Sequence, residues 1–187
     1  MESIDDILLE ADDKMDKAME FLYQEFSGLR TGKASPSLVD NISVDYYGAP
    51  TRLRELAGIS TPEPRLIVIN PYDPSSLPAI EKAIMAANLG ITPMNDGRVI
   101  RIPIPELSEE RRKELIKVAK RMAEDQRVAV RNVRRDSNEQ IKTLQKNGKI
   151  SEDDRDGALE EIQKYTDDHI KKIDEMLSVK EKDIMEV

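Results

Sequence analysis

Three stretches of the chain place apolar residues at spacings of three and four, the mark of a helix that buries one stripe. In the first, Ile4, Leu8, Ala11, Met15, Ala18, Leu22 and Leu29 form the stripe. Ser3 stands as its N-cap ahead of Asp5 and Asp6, and Gly28 with Thr31-Gly32 marks its end. The second opens after Pro103 and Pro105, with Ser108 as N-cap and Glu109-Glu110 behind it. Leu115, Val118, Met122, Ala129, Val133, Ile141 and Leu144 make its stripe, and Asn147-Gly148 stops it near Lys146. The third starts at the cap Ser151 and carries Leu159, Ile162, Thr166, Ile170, Ile173, Leu177 and Ile184 almost to the C-terminus. The tight turn between the second and third predicts an antiparallel hairpin. Two helices with one stripe each cannot close a core, so the first is expected to complete a three-helix bundle.

Residues 32–105 follow a different pattern and hold all ten prolines. Ile42 to Tyr46 alternates like a strand, and Gly48-Ala49-Pro50 turns the chain. Leu66 to Ile69 is a continuous apolar run suited to a buried strand. Pro78 to Asn88 reads as a short helix ending at Gly90, and Asn95-Asp96-Gly97 as a turn before the strand Val99 to Ile102. Tyr46, Tyr47 and Tyr72 are read as aromatics of this small core, with partner contact as the other reading. The expected fold class is therefore α+β with two domains. Residues 1–30 and 106–187 form a long antiparallel three-helix bundle, and residues 31–105 form an inserted small α+β domain. Two short crossings, at 30–33 and 102–106, join them. Gly32 adds freedom to one, while Pro103 and Pro105 stiffen the other, a combination that predicts a hinge.

Charged residues make up 35% of the chain and aromatics 4%, with no Trp, which fits narrow helical seams better than a thick core. The absence of Cys excludes disulfides and thiolate metal sites. The start, MESIDDILLEADD, lacks a basic region followed by an apolar run, and no stretch approaches the roughly 20 apolar residues of a membrane span. A cytoplasmic location and no membrane partner are expected. Net charge is −8, yet it is unevenly spread: −6 over residues 1–30, −1 over 31–106, +6 over 107–150 and −7 over 151–187. One basic segment inside an acidic chain points to an anionic partner met at that segment alone.

Catalytic patterns are missing. His169 is the only histidine, and it is read as a partly exposed residue at the edge of a helical seam. No phosphate-binding glycine loop occurs, and Asp153-Asp154 complements a helix start. Neither enzymatic activity, a cofactor, a metal nor a small-molecule substrate is expected.

The positive signal lies in the second helix. With Lys120 set at 0° and about 100° per residue, Lys113, Lys117, Arg127, Arg131, Arg134 and Arg135 all fall between about −40° and 60°. Leu115, Met122, Val133 and Leu144 fall near −120° to −160°, so the cations are expected roughly opposite the seam. From Lys113 to Arg135 the row is roughly 33 Å long. A plain solvated face of i,i+4 ion pairs is the competing reading. Against it, Arg127, Arg131 and Arg135 repeat like charge at that spacing, which suggests compensation by an external anion. Arginine's planar fork also suits phosphate.

These residues carry a resemblance. Arg30-Thr31-Gly32-Lys33-Ala34-Ser35-Pro36-Ser37-Leu38 resembles the junction of ribosome recycling factors. Val130-Arg131-Asn132-Val133-Arg134-Arg135-Asp136 is similar to a block of their long basic helix. Pro78 to Ile84 and Leu107 to Lys113 resemble further stretches, so the likeness covers essentially the whole chain. It implies an L-shaped protein, a three-helix bundle with a β-α-β domain. It also implies binding to the post-termination ribosome through large-subunit ribosomal RNA. There, with elongation factor G and GTP, the factor would split the subunits and free mRNA and deacylated tRNA. Arg134 would be the prominent contact, with Arg131 beside it and Arg30 and Lys33 at the junction. Arg135, Arg127, Lys120, Lys117 and Lys113 complete the candidate RNA-binding set, and the factor would act as a monomer. A helical adaptor whose basic face docks an acidic protein is the alternative.

Overall fold

The structure, a computed structural model, describes residues 3–29 and 31–186. It divides into two compact units, one of three long helices and one of residues 31–108.

The first unit contains α1 (Ile4–Gly28), α4 (Glu109–Lys146) and α5 (Glu152–Met185). Two of the helix starts are built alike. Ser3 Oγ accepts from the Asp6 N–H while Asp6 accepts from the Ser3 N–H, and Ser151 and Asp154 repeat this capping box at α5. Between α4 and α5 the Lys149 N–H donates to Leu144 O and the Gly148 N–H to Gln145 O. Gly148, at φ +71°, supplies the left-handed residue of this Schellman ending. Ile7 and Ala11 pack with Ile141, Leu144, Ala158 and Ile162, so α1 runs parallel to α5 and antiparallel to α4.

The stripes are shifted from those expected. In α1 the buried positions are Ile7, Ala11, Met15, Ala18, Leu22 and Phe26, while Ile4 and Leu8 only flank the core and Leu29 caps the helix. In α4, Leu115, Ala119, Ala123, Gln126, Val130, Ser137, Ile141 and Leu144 are buried, and Val118, Met122, Ala129 and Val133 lie half-buried beside them. Ala119, Ala123 and Ser137 alternate on this buried face with the larger Leu115, Val130, Ile141 and Leu144, so that large and small side chains fill the space between helices. In α5, Ala158 and His169 are buried where Leu159 and Ile170 were expected. No helix among the described residues is long and apolar enough to cross a membrane.

The second unit contains a hairpin of β1 (Ser43–Tyr46) and β2 (Ala49–Arg52), the short α2 (Leu53–Leu56), and an antiparallel sheet. The sheet's strands are β3 (Ala57–Glu63), β4 (Leu66–Pro71), β5 (Met94–Asn95) and β6 (Ile100–Pro103), in the order β3-β4-β6-β5. The helix α3 (Leu77–Ala86) lies between β4 and β5 in the chain. Ile67 and Ile69 of β4, Ile100 and Ile102 of β6, and Leu77, Ile80 and Ile84 of α3 share one core with Val39, Val44 and Leu53. The hairpin turn falls at Tyr47-Gly48, not at Gly48-Ala49-Pro50. Both turn residues take positive φ, +50° and +81°, as a two-residue turn of this hand demands. Of the three tyrosines only Tyr46 packs on the core, with its Oη donating to Asp73. Tyr47 and Tyr72 are exposed, because their places at a turn and after a strand end point away from the sheet's covered face.

Pro103 is the last residue of β6, opposite Leu66, and the Ile104 N–H donates to Arg65 O. The sheet therefore extends to Ile104. Gly32 has φ +78°, and a Cβ there would lie 3.1 Å from Leu107 Cγ. A side chain at Gly32 would be strained twice, by backbone and by space.

Asp96 ties the β5–β6 turn, accepting from the Val99 and Arg98 N–H groups and pairing with Arg101. The two backbone donors, with Arg101, hold its carboxyl down to about 2. A folded pKa below the unfolded value of about 3.9 gives stability that is present above pH 4 and lost as the pH falls toward the folded value. The Asp96 carboxyl carbon should titrate in NMR with a midpoint near 2; a midpoint near the ordinary carboxylate value would show that the turn is not tied this way.

Candidate nucleic-acid interface

The 38 residues of α4 form one uninterrupted helix, so residues that share an arc on its wheel share a face over its whole length. On the scale set by Lys120, the buried residues centre near −100° and the cations near about 15°. The row therefore lies about a third of a turn from the seam and not opposite it. One edge of the row comes against the neighbouring helix, and this edge divides the cations into two groups.

Arg127 stands on the inner edge. Its side chain is only 18% exposed, and its Nη2 lies 2.6 Å from Asp174 Oδ1 on α5. Nε donates to the same oxygen at 2.8 Å, and Nη1 donates to Glu124 Oε2 at 3.1 Å. Burial opposes the charge, but these hydrogen bonds outweigh it and raise the Arg127 pKa. Arg131 donates from Nη1 to Glu124 Oε1 at 3.2 Å. Glu124 thus serves two guanidiniums, whose hydrogen bonds hold its carboxyl below the ordinary range. The like-charge spacing predicts compensation by an external anion, but Glu124 and Asp174 of the chain supply part of it. Arg127 is a structural clamp between α4 and α5 in this arrangement.

The remaining α4 cations are less engaged. Lys113 is exposed and 3.6 Å from Glu109, and Arg135 is exposed with a long contact of 3.4 Å to Asn132. Lys117 and Lys120 are exposed and Arg134 is half-buried; among the described residues none of the three has a hydrogen-bond or ion-pair partner. Arg121, exposed at about 100° on the same wheel, widens this surface beyond the arc considered in the sequence. Lys33 belongs to the other unit and is half-buried, so it is not part of the α4 row. Arg30 lies outside the described residues.

His169 is not the partly exposed edge residue expected. It is 4% exposed, with Nδ1 2.6 Å from Tyr165 O and Nε2 2.7 Å from Asp16 Oδ1. Asp16 sits on α1, four residues after Asp12 and one turn along the helix, and supplies a polar partner that lets an imidazole occupy the seam.

The split between clamped and free cations has a measurable consequence. Arg127→Ala should destabilise the bundle by about 1–2 kcal/mol, a value held down by the half-exposed carboxylates. Arg134→Ala should change stability by no more than about 0.5 kcal/mol. Urea unfolding of the two variants checks this, and equal effects would contradict the assignment.

Known proteins resemble this chain in sequence and in fold. A family model described as ribosome recycling factor matches residues 22–185. The ribosome-recycling factor of Oleidesulfovibrio alaskensis is 54% identical over 98% of this chain and 100% of its own length. That of Desulfitobacterium hafniense is 59% identical with the same coverage. A solution structure of the ribosome recycling factor superposes with a TM-score of 0.81 at 44% identity, covering all of both chains. A second solved neighbour, with a TM-score of 0.66 at 40% identity, is the T. thermophilus factor in an assembly with E. coli elongation factor G on the E. coli post-termination complex; it covers 99% of this chain and 100% of its own. Family model, full-length relatives and fold agree: this chain belongs to the ribosome recycling factor family.

Proposed function

We propose that this chain binds the post-termination ribosome through large-subunit ribosomal RNA and, with elongation factor G and GTP, splits the subunits so that mRNA and deacylated tRNA leave. In this reading it is a monomeric binding factor of the cytoplasm, and the chemistry of GTP belongs to its partner. The observation that carries the RNA contact is the row of Lys117, Lys120 and Arg134, cations on a rigid helix with no partner among the described residues. Arg131 and Arg135 extend the row, each held by one contact that a phosphate can replace. Lys113 continues it toward the helix start. Arg127 contributes mainly by fixing α4 against α5, so that the free cations keep their spacing. Lys33 and Arg30 would add contacts at the junction. The solved neighbour that holds a ribosome recycling factor together with elongation factor G on a post-termination complex supports the choice of partners.

The domains proposed are residues 1–30 with 106–187, and 31–105, hinged at 30–33 and 102–106. Gly32, with its left-handed backbone, gives the first connection its bend, and Pro105 stiffens the second. Pro103, paired opposite Leu66 at the end of β6, would act by stiffening the sheet margin beside that connection.

Arg134→Ala should weaken ribosome binding by about 1–3 kcal/mol while the melting temperature scarcely moves. Binding of the unaltered chain should fall with salt at a log–log slope of about −2 or steeper, since each neutralised phosphate releases counterions. A flat slope with Arg134→Ala bound as tightly as the parent would reject RNA as the surface met and favour docking on a protein.

A further inference from the structure

Apart from the cationic row, one cluster of chemically capable side chains remains unexplained by ribosome binding. Asp12 and Asp16 project from one face of α1 at i,i+4 spacing, and His169 comes toward them from α5. The nearest oxygens of Asp16 and Asp12 lie 2.7 Å and 3.7 Å from His169 Nε2, and the three ligand atoms fall within 4.8 Å of one another. We propose that Asp12, Asp16 and His169 form a binding site for one divalent first-row transition ion, zinc being the best match to the donors.

The histidine is prepared for such a role. Tyr165 O can only accept, so Nδ1 carries the N–H and donates to it at 2.6 Å. That contact fixes the ring and directs Nε2 at the carboxylates, the arrangement in which a metal-bound imidazole donates its other N–H to a carbonyl. Ligands held at about 2.0–2.1 Å from zinc stand about 2.9–3.4 Å apart at octahedral to tetrahedral angles. The observed 2.7 Å and 3.7 Å bracket that range, so small rotations of two half-exposed side chains would complete it.

Charge favours the same conclusion. The lysines of α1 are taken by other acids, Lys14 by Glu10 and Lys17 by Asp13. Among the described residues, no lysine or arginine pairs with Asp12 or Asp16, and their one nitrogen partner is His169. Two carboxylates facing one imidazole leave a negative site that a dication neutralises. One nitrogen and two oxygens suit zinc, manganese or iron(II), whereas an imidazole ligand argues against magnesium or calcium. His169 is buried but the carboxylates reach solvent, which leaves a path for the ion and room for water as remaining ligands. A bound ion would cross-link α1 to α5.

The test is titration of the full chain, stripped with chelator, with cobalt(II) and with zinc(II). Expected are one ion per chain, ligand-field absorption for cobalt, and displacement of cobalt by zinc. At metal about a hundredfold above Kd the bundle's melting point should rise by roughly 5–10 °C. Asp12→Asn and His169→Gln should each weaken binding at least tenfold. The histidine variant may be read only if its circular dichroism matches the parent; Asp12 is partly exposed and less engaged, so Asp12→Asn decides the matter regardless. Binding weaker than about millimolar, or unchanged affinity in Asp12→Asn, overturns the proposal and leaves the cluster as an ion pair between helices.

Discussion

Each of the three long helices has a single stripe that water would otherwise meet, so no one of them is stable without the other two. That constraint sets where every charged residue of α4 can go. The buried line of α4 passes through Leu115, Ala119, Ala123, Val130, Ser137 and Ile141. With this line fixed, the wheel leaves the opposite and lateral faces to the solvent. The cationic row occupies a lateral face, close enough to α5 for one arginine to reach it and far enough for the others to stay free. Moving the seam by one residue, about 100°, would turn the row into the bundle or wholly away from it.

The same geometry explains why residues of one type serve different ends. Arg127 and Arg131 differ by four residues and nearly share an angle, yet Arg127 has two carboxylates around it and Arg131 has one. The difference comes from Asp174 on α5, whose height along the bundle matches Arg127. Arg134 has neither Glu124 nor Asp174 within reach. A guanidinium that is already hydrogen-bonded gives little to a new anion, because the old contacts must break first; a free one gives its full interaction.

Much of this is legible in the sequence. Capping residues such as Ser3 and Ser151, the stop at Asn147-Gly148 and the strand Leu66 to Ile69 act through near neighbours in the chain, and they appear where local rules put them. The shared face of the α4 cations followed from helical geometry alone. What could not be read were choices made between elements. Apolar patterning favours Val118 over Ala119 and Ile170 over His169, yet the partner helices put Ala119 and His169 inside. Pairs such as Arg127 with Asp174 and His169 with Asp16 join residues 47 and 153 positions apart, and no periodicity within a helix reports the register between two. The hairpin β1–β2 was half seen, since Tyr47 takes a left-handed conformation that sequence rules assign to glycine or asparagine.

The way α1 is covered bears on how the chain is made. Ile7 and Ala11 pack on Ile141, Leu144, Ala158 and Ile162, residues that follow by more than a hundred positions. At the usual pace of about 5–20 residues per second, synthesis separates the two sets by roughly 7–30 s. During that interval the nascent segment carries Met15, Leu22 and Phe26 with nothing to lie against, while the proline-rich unit emerges and can fold first. The abundant acids of α1, with Asp5, Asp6, Glu10, Asp12, Asp13, Asp16 and Glu20 spread along it, keep a waiting segment repelling others of its kind until the hairpin arrives.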